Sequence, residues 1–194
     1  SFDDAQRWRA REALEPDGRL ARSGLLVRTP DALGTESWVW CSPIAVDFLL
    51  NATEPVERPA TLGGLARFLE PDRGLSELPL DEATRRALHL ASGHEGRDET
   101  GRVRLAVVVT SGLDPELVAS GIAKAADRRL VLMSYLAEGR SPSAVAAYRQ
   151  VALFARLWDA TVAIVLRDQV SPGALAQACE VLGEAPQVLV VSTD

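Results

Sequence analysis

The residues best placed to do chemistry form a turn at positions 110–116, between an apolar run and a helical pattern. In open parallel sheets the first strand-to-helix turn is the usual place for a phosphate group. A working phosphate loop combines glycines, free amides at the helix start, a lysine for the outer phosphates and a hydroxyl for magnesium. The turn here is composed of Thr110, Ser111, Gly112, Leu113, Asp114, Pro115 and Glu116.

This turn lacks a cation for phosphate. If residues 118–123 are the helix that follows such a loop, Pro115 stands where the lysine belongs and Glu116 where the hydroxyl belongs. The only lysine of the chain, Lys124, lies roughly two helical turns further on. No arginine occurs between Arg104 and Lys124. We therefore interpret residues 110–116 as vestigial phosphate-loop positions and predict no cofactor.

Asp114 has a structural interpretation that we favour over a catalytic one. Asp at the N-cap, Pro115 in the first helical position and Glu116 in the first turn make a well-matched helix start. Both carboxylates then lie against the positive end of the helix dipole. The sequence predicts that the protein's own anions occupy a position that would otherwise attract phosphate.

The residues that would hydrolyse a nucleotide are also missing. ATPases built on a parallel sheet with a phosphate loop after the first strand place an Asp-Glu pair after the third strand. This pair serves magnesium and the attacking water. Here the corresponding apolar run, at 161–167, ends in Arg167 and is followed by Asp168, with no second carboxylate. We interpret Asp168 as a solvated loop residue. The fourth run ends in Ser192 and Thr193, at the position of a residue that senses the γ-phosphate. We treat all four residues as vestigial, and we predict no catalytic residue and no metal site.

Other chemistries have less support. The chain has no GxGxxG, no GxSxG and no pair of Cys or His at zinc spacing. His89 and His94 are predicted to be surface or partly buried structural histidines. Cys41 and Cys179, far apart in sequence, are predicted to be buried or half-buried thiols in a reducing cytoplasm rather than a disulfide.

The downstream half supplies the elements that would position these residues. Short apolar runs at 103–110, 130–135, 161–167 and 187–191 are typical of parallel strands buried on both faces. Helical patterns separate them, at 115–126, 143–159 and 173–182. This alternation predicts a three-layer α/β/α fold with a parallel sheet, like that of a P-loop NTPase, with the first strand in an interior position.

The upstream half has a shorter, mixed pattern. We predict a helix at 3–14, strands at 25–29 and 37–41, and helices that begin at Pro43 and Asp81. The polar stretch 94–102 is predicted to be a linker. The predicted organisation is a small helical, winged-helix-like α+β region at 1–93 and an α/β domain at 103–194, truncated at its C-terminal end.

Composition excludes several classes of function. Apolar residues make up 47% of the chain, but no apolar run approaches the roughly 20 residues of a membrane span. The net charge is −6, with 13 basic and 18 acidic residues in the first 102 positions. This balance argues against a nucleic-acid partner, because affinity for nucleic acid comes largely from phosphate neutralisation. We expect a soluble, cytoplasmic protein with no membrane partner.

Several segments resemble the N-terminal region of bacterial two-module AAA-type ATPases, including those encoded beside contractile injection systems. The similar segments are GRLARSGLLVR at 18–28, CSPIAVDFLL at 41–50, LSELPLDEATRRAL at 75–88, VRLAVVVTSGLDPELVASGIAKA at 103–125 and LWDATVAIVLRD at 157–168. In such proteins a winged-helix-like region precedes a degenerate AAA core, and an intact AAA module follows. The resemblance implies a non-catalytic module for assembly, regulation or docking of an active ATPase.

Three hypotheses remain open from the sequence. The leading one is this non-catalytic module, whose partner is another AAA module of the same parent chain or a second copy. Its candidate contact residues are Trp8, Trp38 and Trp40, although such tryptophans are more often core than interface residues. The second is a nucleotide-binding ATPase domain with an atypical P-loop, which would bind ATP and magnesium. The third is a DNA-binding winged helix with an α/β sensor domain, against which the acidic upstream half argues.

Overall fold

The structure is a computed structural model that describes residues 9, 12–13, 15, 18–30, 37–50, 65–93, 102–109, 112–134, 142–166 and 172–193. Its elements in chain order are α1 (Arg19–Arg22), β1 (Leu26–Pro30), β2 (Ser37–Cys41), α2 (Pro43–Leu50), β3 (Ala66–Leu69), a 3-10 turn (Leu75–Glu77), α3 (Glu82–Ser92), β4 (Val103–Val109), α4 (Pro115–Ala125), β5 (Arg129–Ser134), α5 (Pro142–Leu157), β6 (Ala160–Leu166), α6 (Pro172–Val181), a second 3-10 turn (Leu182–Glu184) and β7 (Gln187–Thr193).

The core of the molecule is a five-stranded sheet in the order β3-β5-β6-β7-β4. Strands β5, β6, β7 and β4 run parallel, and β3 pairs antiparallel with β5. The four apolar runs of the downstream half thus form parallel strands joined through helices, as predicted. The α/β class is confirmed.

One part of the predicted topology is wrong, because β4 lies at an edge of the sheet. Among the described strands only β7 pairs with it. Its alternate residues Arg104, Ala106 and Val108 are exposed, with Val108 at 64%. The apolar run alone predicted a strand that is buried on both faces. The strand order differs because the chain crosses from β4 to the distant β5, and β6 and β7 then fill the space between them.

Helices cover both faces of the sheet and create two cores. On one face α4 packs, with Ile122 and Ala123 fully buried. On the other face lies α5, whose Tyr148, Leu153 and Phe154 are almost fully buried. Phe154 also stacks on Trp158, at a centroid distance of 4.4 Å. These layers support the three-layer prediction.

The upstream elements pack directly on the downstream half. β1 and β2 pair antiparallel, as predicted, and α2 places Ile44 and Ala45 in the core beside α5. Strand β3, which the sequence patterns did not predict, joins the main sheet. Two predicted features lie outside the described residues: most of the helix at 3–14 and the linker at 94–102, apart from Arg102.

The predicted start of α3 is confirmed. Asp81 is its N-cap, and its Oδ1 accepts a hydrogen bond of 2.9 Å from the Thr84 amide. Hydrogen bonds from the Thr84 hydroxyl and amide lower the pKa of Asp81. Among the helices that the structure describes, none is long and apolar enough to cross a membrane.

Candidate functional site

The carboxyl ends of β4, β7 and β6 lie side by side at one edge of the sheet. In the strand register Val109 lies opposite Thr193, and Ser192 lies opposite Leu166, the last residue of β6. The last residues of β4, β7 and β6 are therefore neighbours. Four of the predicted positions, Thr110, Ser111, Arg167 and Asp168, lie outside the described residues.

The turn into α4 is a capped helix start, as predicted. Gly112 has a φ of 106°, a conformation that favours glycine, and Leu113 follows it half-buried. Asp114 is extended, at φ −76° and ψ 119°, and its Oδ1 accepts a 2.9 Å hydrogen bond from the Glu116 amide. Pro115 occupies the first helical position. The capping role of Asp114 is confirmed.

This geometry leaves few donors for an anion at the start of α4. Pro115 has no N–H, the Glu116 amide donates to Asp114, and the Val118 amide donates to the Asp114 carbonyl at 3.2 Å. A phosphate cradle depends on several backbone amides that point at the ligand. The first two helical positions of α4 provide none.

An ion pair between Arg67 and Glu116 crosses the end of the sheet. Arg67 lies in β3 opposite Leu132 of β5, and its Nη2 donates to Oε2 of Glu116. The two side chains are 38% and 30% exposed. A cation that the sequence analysis did not find thus reaches the start of α4, but a carboxylate of the same chain already neutralises it.

Sequence reasoning missed Arg67 because β3 has only four residues, ARFL, and no clear alternation. The contact joins residues 49 positions apart. The one available signal was a basic residue in an apolar segment, and this signal does not identify a partner.

Lys124 is not available to this site either. It lies in the last turn of α4, and its Nζ donates to the Asp72 carbonyl. Ten residues of helix separate it from Asp114, about 15 Å along the axis. In the described ranges no group of three or more His, Cys, Asp or Glu side chains could hold a metal ion.

The two cysteines differ from each other. Both are free thiols; Cys179 is half-buried, as predicted, whereas Cys41 is exposed, so the prediction of a buried Cys41 is wrong. Cys41 lies at the end of β2, in the two-stranded sheet of β1 and β2. Burial raises the pKa of the Cys179 thiol, and the nearby Arg104 partly opposes this shift.

The two histidines and the three candidate contact tryptophans lie as follows. His89 is exposed on α3, and Trp40 is 58% exposed on β2. Trp38 lies in β2, and the structure does not describe its side chain. Trp8 and His94 lie outside the described residues.

Comparisons with known proteins give no family assignment. No protein-family model matches the chain. The curated proteins give no match either. The resemblance to two-module AAA-type ATPases therefore stays a prediction that rests on the residues of this chain.

Proposed function

We propose that this chain is a non-catalytic, ATPase-like module that contacts other proteins in the assembly, regulation or docking of a larger AAA ATPase. The observation that carries the proposal is the start of α4, where Asp114 and Glu116 occupy the place of a phosphate. Asp114 accepts a hydrogen bond from the Glu116 amide, and Glu116 accepts one from the Arg67 guanidinium. An anion would have to displace both contacts and overcome two negative charges.

The order of the strands supports an ATPase-like core. A site built from the turn after the first strand and the ends of the third and fourth requires these three strands to be neighbours. The corresponding strands β4, β6 and β7 lie side by side. The two common doubly wound orders keep the first and second strands adjacent, whereas two strands separate β4 from β5 here.

Loss of catalysis follows from the residues at that edge. Phosphoryl transfer depends mainly on positioning and on cations that stabilise charge. Pro115 and Glu116 stand where the lysine and the hydroxyl would be, and Arg67 is committed to Glu116. The atypical P-loop alternative would need Glu116 to release Arg67 toward the nucleotide.

A surface for protein contact lies on the hairpin and on α2. Val46, Leu49 and Leu50 form a stripe with i, i+3, i+4 spacing on α2 and are 38%, 76% and 75% exposed. Trp40 adds an aromatic side chain from β2. Exposed apolar patches mark sites of protein contact, and tryptophan is enriched among the residues that contribute most to binding. We name the three residues of the stripe on α2 the α2 face.

Self-association tests this contact, because a second copy is itself an ATPase-like module. We expect the wild type to associate at tens of micromolar in sedimentation velocity, a range of about −6 kcal/mol. Leu50→Asp should abolish association by placing a charge in the interface. Leu90→Asp, at a leucine 43% exposed on α3, is the matched control and should leave it unchanged. A monomeric wild type, or equal behaviour of the two variants, would contradict contact through the α2 face.

A further inference from the structure

A cavity of about 380 Å³ lies between α3, the C-terminal turn of α4 and the first 3-10 turn. Its polar lining consists of Ser76, Glu82, Arg85, Arg86, His89 and Lys124. We call it the basic cavity. Small-molecule sites have volumes of roughly 300 to 1,000 Å³, so the cavity has the size of a ligand site.

Two helices place these side chains together. Glu82, Arg85, Arg86 and His89 have i, i+3, i+4, i+7 spacing and so share one face of α3. This face lies toward the end of α4, which carries Lys124, the only lysine of the chain. The arrangement thus depends on the packing of α3 against α4.

The packing of the first 3-10 turn on α4 holds the floor of the cavity. A Cβ at Gly121 would lie 3.1 Å from Leu75 Cδ2 and 3.2 Å from Leu78 Cδ1. The glycine therefore lets Leu75 and Leu78, both 5% exposed, approach the helix closely. Lys124 then reaches the Asp72 carbonyl at the rim.

The charges of the basic cavity do not balance. Arg85 Nη1 donates to Glu82 Oε2 at 2.7 Å, and its Nη2 donates to the Leu80 carbonyl at 2.9 Å. Within the described residues, Arg86 has no carboxylate partner, and Lys124 contacts only a neutral carbonyl. Among the described residues that line the cavity, two cations therefore have no compensating carboxylate, in a chain of net charge −6.

We propose that the basic cavity binds a small phosphate-bearing anion, either free phosphate or a phosphomonoester. Arginine and lysine donate charge-assisted hydrogen bonds to phosphate oxygens. Arg86 and Lys124 supply the charge, and the Ser76 hydroxyl supplies a further donor at the same cavity. The site lies at the C-terminal end of α4, about 15 Å of helix from Asp114. It is therefore separate from the vestigial phosphate turn.

Calorimetric titration of the whole chain with glycerol 3-phosphate and, separately, with inorganic phosphate tests the proposal. We expect saturable binding of at least one probe in the high micromolar range, without magnesium. Arg86→Gln should weaken it at least tenfold. Glu82→Gln should strengthen it several-fold, because it removes the carboxylate that neutralises Arg85. Comparison of the two affinities identifies the source: tighter binding of glycerol 3-phosphate indicates a phosphomonoester, and equal or tighter binding of inorganic phosphate indicates free phosphate.

Arg22→Gln is the matched control, since it removes the same charge from an exposed residue of α1 that does not line the cavity. It should bind like the wild type. Arg86 is exposed, so its variant should keep the wild-type unfolding midpoint. Absence of saturable binding for both probes, equal weakening by the two arginine variants, or weaker binding by Glu82→Gln would overturn the proposal.

Discussion

Asp114 and Glu116 illustrate how two carboxylates change the chemistry of a helix start. A helix N-terminus with free amides attracts anions, but a carboxylate that accepts one of those amides satisfies the same donor from within the chain. Asp114 does this for the Glu116 amide, and Glu116 in turn binds Arg67. Each contact has an ordinary structural role. Together they remove the donors and the cation that a phosphate would need.

Substitution of Asp114 tests the capping role. Asp114→Ala should lower the free energy of unfolding by about 0.5 to 2 kcal/mol, because the Glu116 amide loses its acceptor. Asp114→Asn keeps a capping oxygen and should cost clearly less. Denaturant unfolding with and without Mg-ATP measures both effects. Equal losses for the two variants, or a loss that depends on Mg-ATP, would show that capping is the wrong interpretation.

The two thiols should react differently with iodoacetamide. Only a thiolate is alkylated, and burial raises the pKa of Cys179, so its thiol is neutral at pH 8. Its rate should rise about tenfold per pH unit as the pH increases toward that pKa. Cys41 is exposed and should be modified first. Mass spectrometry of timed samples gives both rates, with Cys41→Ser as the control. Faster labelling of Cys179 at pH 8 would contradict its burial.

At the scale of elements, α5 links the upstream region to the sheet. Gln150 accepts a hydrogen bond from the Ser42 hydroxyl at 2.6 Å and donates to the Gly24 carbonyl at 3.0 Å. Gly24 has a φ of 79°, and a Cβ there would lie 2.8 Å from the Arg149 carbonyl oxygen. The region before β1 can approach α5 this closely only because residue 24 is a glycine.

This close approach gives a prediction at Gly24. Gly24→Ala should destabilise the fold by about 2 to 5 kcal/mol, the sum of a left-handed backbone cost and a steric overlap. Gly112→Ala is a matched control, since φ is also positive there but no atom lies within 4 Å of the added Cβ. It should cost only about 1 to 2 kcal/mol. Urea unfolding of both variants makes the comparison; equal losses would indicate that the contact with α5 is not tight.

Elements defined by local signals were predictable from the sequence. The caps at Asp81 and Asp114 and the parallel strands follow from neighbouring residues, and the structure places them within a few positions of the prediction. Strand β3 was not predictable, because its four residues are stabilised by pairing with β5 rather than by their own pattern. The edge position of β4 was also missed, since strand order depends on contacts between residues far apart in sequence. Arg67 and the basic cavity were missed for the same reason.

At the scale of the whole molecule, the two ends of α4 carry side chains of opposite charge. Its N-terminus carries the carboxylates of Asp114 and Glu116, and its C-terminus carries Lys124 beside the basic cavity.

The helix after β4 covers one face of the sheet, and those after β5 and β6 cover the other. In open α/β sheets a reversal of this kind is associated with ligand binding at the carboxyl ends of the strands. Under the proposed function, the carboxyl edge of this sheet does not bind a nucleotide.

Calorimetric titration with Mg-ATP is the most direct test of that claim. The double variant Arg86→Gln/Lys124→Gln removes the two uncompensated cations of the basic cavity, so that any remaining binding reports on the turn after β4. We predict no saturable heat up to about 1 mM nucleotide, a limit of about −4 kcal/mol. A dissociation constant in the low micromolar range, about −8 kcal/mol, that Glu116→Gln also changes would contradict the account and favour a nucleotide-binding domain with an atypical P-loop.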